Sequence, residues 1–165
     1  MARGDSKIYP RLENRGHDDT ETNQTLVYNN SGTEEPIVRG IQILEDSDCI
    51  LGHNIINYDL PVITKLYPWF RHPACVVDTL VLSRLYHPNM IDLDKKHNWD
   101  SMPLKLYGRH NLESYGHRLG EYKGDFGKDA DWTEWSKEMQ DYCIQDVTLT
   151  TKLWKHFQPY LNGSK

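Results

Sequence analysis

Apolar positions recur at helical spacing most clearly toward the end of the chain. From Asp131 to Phe157, Met139, Cys143, Val147, Thr150 and Trp154, flanked by Leu153 and Phe157, predict one long amphipathic helix. Thr133 or Ser136 can cap its start, and Glu134 and Glu138 suit the positive end of its dipole. Upstream, Ile37, Ile41 and Leu44 share one face of a helix predicted over 34–44. Thr25-Leu26-Val27-Tyr28 reads as a strand between polar turns at 18–23 and 29–32. Asp48-Cys49-Ile50-Leu51-Gly52-His53-Asn54 is a short apolar run with a polar end, as in a buried parallel strand. Leu60 to Tyr67 then predicts a helix with Pro61 in its first turn and Asp59 at or beside its N-cap. Cys75-Val76-Val77, Asp78-Thr79 and Leu80 to Tyr86 repeat that strand-to-helix unit. Residues 87–109 read as loop, 111–119 as a short helix stopped near Gly120, and 120–132 as a Gly- and Asp-rich connection. Strands alternating with helices predict an α/β fold. The chain divides into a polar segment at 1–24, a domain over 25–160 and a short tail at 161–165.

Composition narrows the chemistry. A chain of 165 residues fits one domain with a proper core. The net charge of −5 argues against binding nucleic acid by bulk electrostatics. It leaves room for an enzyme acting on nucleic acid, because metal-binding carboxylates make such a site locally acidic. Five Trp and ten Tyr suit either a packed core or a surface that stacks on bases. No run approaches the ~18 apolar residues of a membrane span, and MARGDSKIYPRLENRG lacks the apolar centre of a signal peptide. Cys49, Cys75 and Cys143 are odd in number and unclustered, which reads as buried thiols in a reducing compartment.

Three features could carry chemistry. His53-Asn54 and Asp59 flank the loop after one strand, where sites of α/β sheets form. Tyr142 and Asp146 lie four residues apart, one turn along the same helix face. A carboxylate there can hold a divalent cation and the phenol can orient an attacking water. The plainer alternatives are a solvated Asp beside a core Tyr, and a capping role for Asp59 and for Asp78. His53 also reads as a satisfied strand-end residue, and His110 and His117 as packing or surface residues.

Four blocks taken together carry a family resemblance. HNIINYDLPVITKL (53–66), VVDTLVLSRLYHP (76–88), HNLESYGHRLGEYKG (110–124) and WSKEMQDYCIQDVTLTTKL (135–153) occur in order. They resemble the DEDDy-type 3′–5′ proofreading exonuclease domain of podovirus family A DNA polymerases. The resemblance covers about residues 17–160. It implies a ribonuclease-H-like fold and hydrolysis of DNA from 3′ ends with two divalent metals, Mg²⁺ or Mn²⁺, releasing nucleoside monophosphates. Asp59 matches the second acidic motif and Asp146 the third, both as metal ligands. Tyr142 matches the tyrosine that positions the attacking water, and Asn54 would lie near the substrate strand.

The first acidic motif, Asp-x-Glu on an apolar first strand, departs from the family pattern. Asp19-Thr20-Glu21 has the letters, but polar residues surround it and it aligns with a hairpin turn. The family's first strand and most of its second have no match, so the sheet is expected to be incomplete or altered at the N-terminus. Asp5, Glu13, or Asp19 with Glu21 are the candidates to stand in for the carboxylates that have no match. Two readings follow. One is an active metal-dependent 3′–5′ exodeoxyribonuclease of the host-cell cytoplasm. It would act on single-stranded DNA 3′ ends, beside a polymerase domain on another chain or as a homo-oligomer. The other is a weak or inactive relative that binds single-stranded DNA or a replication partner.

Overall fold

The computed structural model describes residues 24–121 and 134–165. Among them, helices surround a small sheet of two parallel strands, a mixed α/β architecture. Strand β1 (Cys49–Gly52) pairs with β2 (Cys75–Asp78) in the register Cys49–Cys75, Ile50–Val76, Leu51–Val77 and Gly52–Asp78. The crossover between them contains α2 (Leu60–Leu66), with Pro61 in its first turn, where a missing N–H costs no hydrogen bond. Helix α3 (Thr79–Tyr86) follows β2 directly. Both strand-to-helix units therefore fall where the sequence pattern puts them.

Helix α1 (Ile37–Glu45) starts three residues later than its periodicity suggests. Pro36 occupies the N-cap and disfavours helical backbone at the residue before it. Glu35 instead bridges Tyr28, and the Asn29 amide donates to the Glu35 carbonyl at 2.9 Å. The strand expected at 25–28 reduces to that single bridge. Leu26 is exposed, and among the described residues the run pairs only through that bridge. The proposed stand-ins Asp5, Glu13, Asp19 and Glu21 lie outside the described residues.

Helix α4 (Met90–His97) and a 3₁₀ turn at Leu104–Leu106 occupy the stretch that reads as loop. MIDLDKKH is too polar to show a period, yet Asp92 in its first turn and Lys95, Lys96 and His97 in its last complement the helix dipole. Its anchor is Asp94, 1% exposed. The carboxylate accepts from Arg118 Nε and Nη2 at 2.9 and 2.6 Å, from the Trp99 indole at 3.0 Å and from the Gly108 amide at 2.8 Å. Burial pushes the Asp94 carboxyl up, but the Arg118 bonds, with help from Gly108 and Trp99, hold it below the usual carboxylate range.

Helix α5 (Leu112–Arg118) is capped by Asn111, whose side chain accepts from the Ser114 amide. Gly120, at φ 69°, ends it, and the Glu121 amide closes back on the Gly116 carbonyl at 2.7 Å. The long helix α6 (Lys137–Leu161) is capped by Ser136, which accepts from the Met139 amide at 3.1 Å. Its buried stripe is Met139, Leu149, Thr150, Leu153 and Phe157, while Cys143, Val147 and Trp154 are only half-buried. The contact face is thus rotated from the one the sequence suggests.

Two apolar clusters result. Ile41, Leu44, Ile50, Ile55, Leu60 and Phe70 pack between α1, β1 and the crossover. Met90, Tyr115, Leu153 and Phe157 join α4, α5 and α6. The buried pair Asn29 and Gln140, Nδ2 to Oε1 at 3.1 Å, ties the first turn to α6. Cys49 and Cys75, register partners with Cα atoms 4.5 Å apart, are joined as a disulfide. This corrects their reading as separate thiols. Sequence spacing gave no sign of the pairing because it depends on parallel register between strands whose cysteines are 26 positions apart.

Candidate functional site

The ends of β1 and β2 are drawn together by one carboxylate. Asp78 accepts from the Leu80 amide at 2.9 Å, capping α3 as the sequence suggests. It also accepts from the Asn54 amide at 2.9 Å and the Ile56 amide at 3.2 Å. Those two bonds fold the chain after β1 into a tight connection. Asn54 adopts left-handed backbone at φ 62°, which asparagine tolerates better than most residues. A single π-helical turn, Ile55–Asp59, follows, a rare form that is frequent at functional sites. Gly52 permits the closure, since a Cβ there would come within 2.7 Å of the Ile55 side chain. Gly52→Ala is expected to lower stability by about 1–3 kcal/mol, read by urea unfolding. An unchanged midpoint would show that Ile55 is not held against the strand.

Asp59 ends the π turn and is 8% exposed. It stands at the N-cap position of α2 with helical backbone, and its side chain makes no capping bond. Capping therefore does not account for a carboxylate in this place. Asn54 is half-buried on the same connection, so the structure keeps these two candidates together. Beside them, a hollow of about 730 Å³ is lined by residues including Ile56, Leu60, Pro61, Lys65 and Val76.

Behind the connection lies a polar network. His53 Nδ1 is 2.9 Å from Thr79 Oγ1, and Thr79 donates to the Gly52 carbonyl at 3.2 Å. Ser83 Oγ is 2.6 Å from His110 Nδ1 and 2.5 Å from the Tyr115 hydroxyl. His110 thus packs as a structural residue, as its plainer reading has it, whereas His53 is satisfied only at Nδ1 and its buried Nε2 has no hydrogen-bond partner among the described residues. Burial lowers the His53 ring to about 4, against a smaller opposing pull from Asp78. The unfolded ring titrates near 6.5, so it takes up a proton that the folded ring refuses. Stability is full above that pH and is lost as pH falls toward 4, by about 3 kcal/mol in all. Unfolding followed from pH 7 to pH 4 checks this, and His53→Gln should remove that part of the slope.

Tyr142 and Asp146 lie one turn apart on α6, both half-buried. Thr150 Oγ1 donates to the Asp146 carbonyl at 2.8 Å. Burial raises the Tyr142 phenol above its ordinary value, with further contributions from Glu113 on α5 and from Cys143. Tyr142 therefore stays protonated at neutral pH and acts as a hydrogen-bonding phenol. Glu113 is a residue that sequence reasoning missed. In the first turn of a helix an acid reads as a partner for the dipole, and only the packing of α5 on α6 sets it near the phenol. Helix α6 also packs on α3, the helix that Asp78 caps.

Asp59 and Asp146 offer hard carboxylate oxygens, the donor type that Mg²⁺ and Mn²⁺ take. Among the described residues, no group of three or more His, Cys, Asp or Glu stands close enough to hold a metal ion. No helix among them is long and apolar enough to cross a membrane.

No family model matches the chain. It is similar to the DNA-directed DNA polymerase of Escherichia phage T7, at 37% identity over 139 aligned residues. The DNA-directed DNA polymerase of Enterobacteria phage T3 is matched at the same identity and length. Each alignment covers 67% of this chain and 20% of the polymerase, so the chain spans about a fifth of the length of these relatives. Two thirds of this chain is therefore a region related to phage DNA polymerases.

Proposed function

We propose that the chain is a ribonuclease-H-like 3′–5′ exonuclease domain of the kind that proofreads in phage polymerases. The observation that carries this reading is Asp59: a buried carboxylate delivered by a π turn at the carboxyl end of a parallel strand and not spent on capping its helix. The relation to phage DNA polymerases supports it. Asp59 and Asp146 would hold Mg²⁺ or Mn²⁺, which when bound neutralises charge on the scissile phosphate and acidifies water. The protonated Tyr142 phenol orients the attacking water by hydrogen bonding. Water adds at phosphorus, the 3′ oxygen of the penultimate nucleotide leaves with a proton, and a nucleoside 5′-monophosphate is released. Asn54, on the Asp59 connection, lies on the side of the substrate strand.

A second reading, binding of single-stranded DNA without efficient hydrolysis, is favoured by the donor count. The described residues contribute two of the four carboxylates the resemblance implies. A single strand labelled at its 3′ nucleotide separates the two. Labelled mononucleotide released with Mg²⁺ or Mn²⁺ and not with chelator supports hydrolysis, and retention of the strand without release supports binding alone.

A further inference from the structure

Two histidines far apart in sequence meet where the end of α3 packs on α6. His87 follows α3 as its C-cap and His156 lies on the last turns of α6. Their Nε2 atoms are 2.9 Å apart and their ring centres 5.2 Å. Phe157 and Tyr160 wall the pair, with Tyr160 edge-on to His87, and Tyr86 packs behind both of them. Both rings are half-buried.

We propose that His87 and His156 form a two-imidazole site for a zinc-class divalent cation, distinct from the carboxylates Asp59 and Asp146. Zinc bonded to imidazole at about 2.0–2.1 Å with tetrahedral angles holds two nitrogens about 3.3 Å apart. Each ring centre lies about 1.1–1.2 Å behind its nitrogen, which places the two centres about 5.2 Å apart in such a site. That is the separation present here, so the cation enters by a pivot of each ring without moving α3 from α6. Water fills the remaining positions.

Tautomer and charge agree with the geometry. In the contact between the two Nε2 atoms one ring donates and the other accepts. The accepting ring carries its proton on Nδ1 and already offers the Nε2 lone pair that a metal takes. The donating ring changes tautomer on binding, and no net proton is released. Burial lowers both rings. Arg118 and Lys165 lower His87 further, as His87 and Lys165 do His156, so both are neutral, the ligating form, at pH 7. Arg118 and Lys165 also repel a dication. The first is neutralised by Asp94, and the second stands over the Tyr160 ring at 5.4 Å.

The test is calorimetric titration of the full chain with Zn²⁺ in excess Mg²⁺, which occupies hard-oxygen sites. One equivalent is expected to bind and to raise the thermal midpoint. His87→Gln and His156→Gln should each weaken that equivalent at least tenfold, and Asp59→Ala should leave it unchanged. No binding to the wild type, or binding that both glutamine variants retain, would overturn the site. Loss in Asp59→Ala alone would do so too, by assigning the cation to the carboxylates. Ring-nitrogen NMR shifts of His87 and His156 on Zn²⁺ addition report the same site where a variant folds poorly.

Discussion

Asp94→Ala is expected to lower the unfolding free energy by about 3–5 kcal/mol, the cost of leaving a buried ion partner uncompensated. Arg118 would keep its charge at 7% side-chain exposure with no carboxylate across from it. The Trp99 indole and Gly108 amide would lose their acceptor as well. These bonds hold α4, the turn at 98–108 and α5 together, so local loosening should spread through that half of the molecule. Chemical denaturation with near-ultraviolet dichroism reads the effect. An Asp94→Ala protein within 1 kcal/mol of wild type would mean that the apolar cluster of Met90, Tyr115, Leu153 and Phe157 holds these helices unaided. Because the folded Asp94 carboxyl sits below its unfolded value, its stabilisation is present above about pH 4 and is lost as pH falls further. Acid therefore acts in two stages, on His53 between about 6.5 and 4 and on Asp94 below that.

Asp146→Ala is expected to cut nucleotide release on the order of a thousandfold, since in the proposed site it removes a carboxylate that would hold the cation offsetting charge on the reacting phosphate. Tyr142→Phe should reduce the rate by about a hundredfold and leave Mn²⁺ binding intact, because the phenol acts on water and not on the metal. The comparison is informative because both residues occupy one helix face, so a shared folding defect would change both metal binding and stability in each variant. Activity that survives Asp146→Ala would remove α6 from the proposed site.

Legibility in the sequence followed the range of the interactions. The β1–α2 and β2–α3 units were readable because short apolar runs, Pro61 and the capping Asp78 act within a few residues. The caps Ser136 and Asn111 and the stop at Gly120 are equally local. Helix α4 was hidden because its stability comes from Arg118, Trp99 and Gly108, up to 24 residues from Asp94. The strand at 25–28 had the right composition, but among the described residues its pairing is the single bridge of Tyr28 to Glu35. At the candidate site, Asp59, Asn54, Tyr142 and Asp146 could be named from motifs, whereas Glu113 could not. Nor could the sequence show that Asp78 pins the Asn54 loop while Asp59 is left out of the cap. That division depends on the parallel register that sets Gly52 opposite Asp78.

The central claim is that Asp59 belongs to a nuclease site. The most direct measurement compares wild type with Asp59→Ala on a 5′-labelled single strand in Mg²⁺, with circular dichroism confirming that both are folded. The account predicts a ladder of strands shortened one nucleotide at a time by wild type and an intact strand with Asp59→Ala. An intact strand with both proteins, or the same ladder from both, would contradict it.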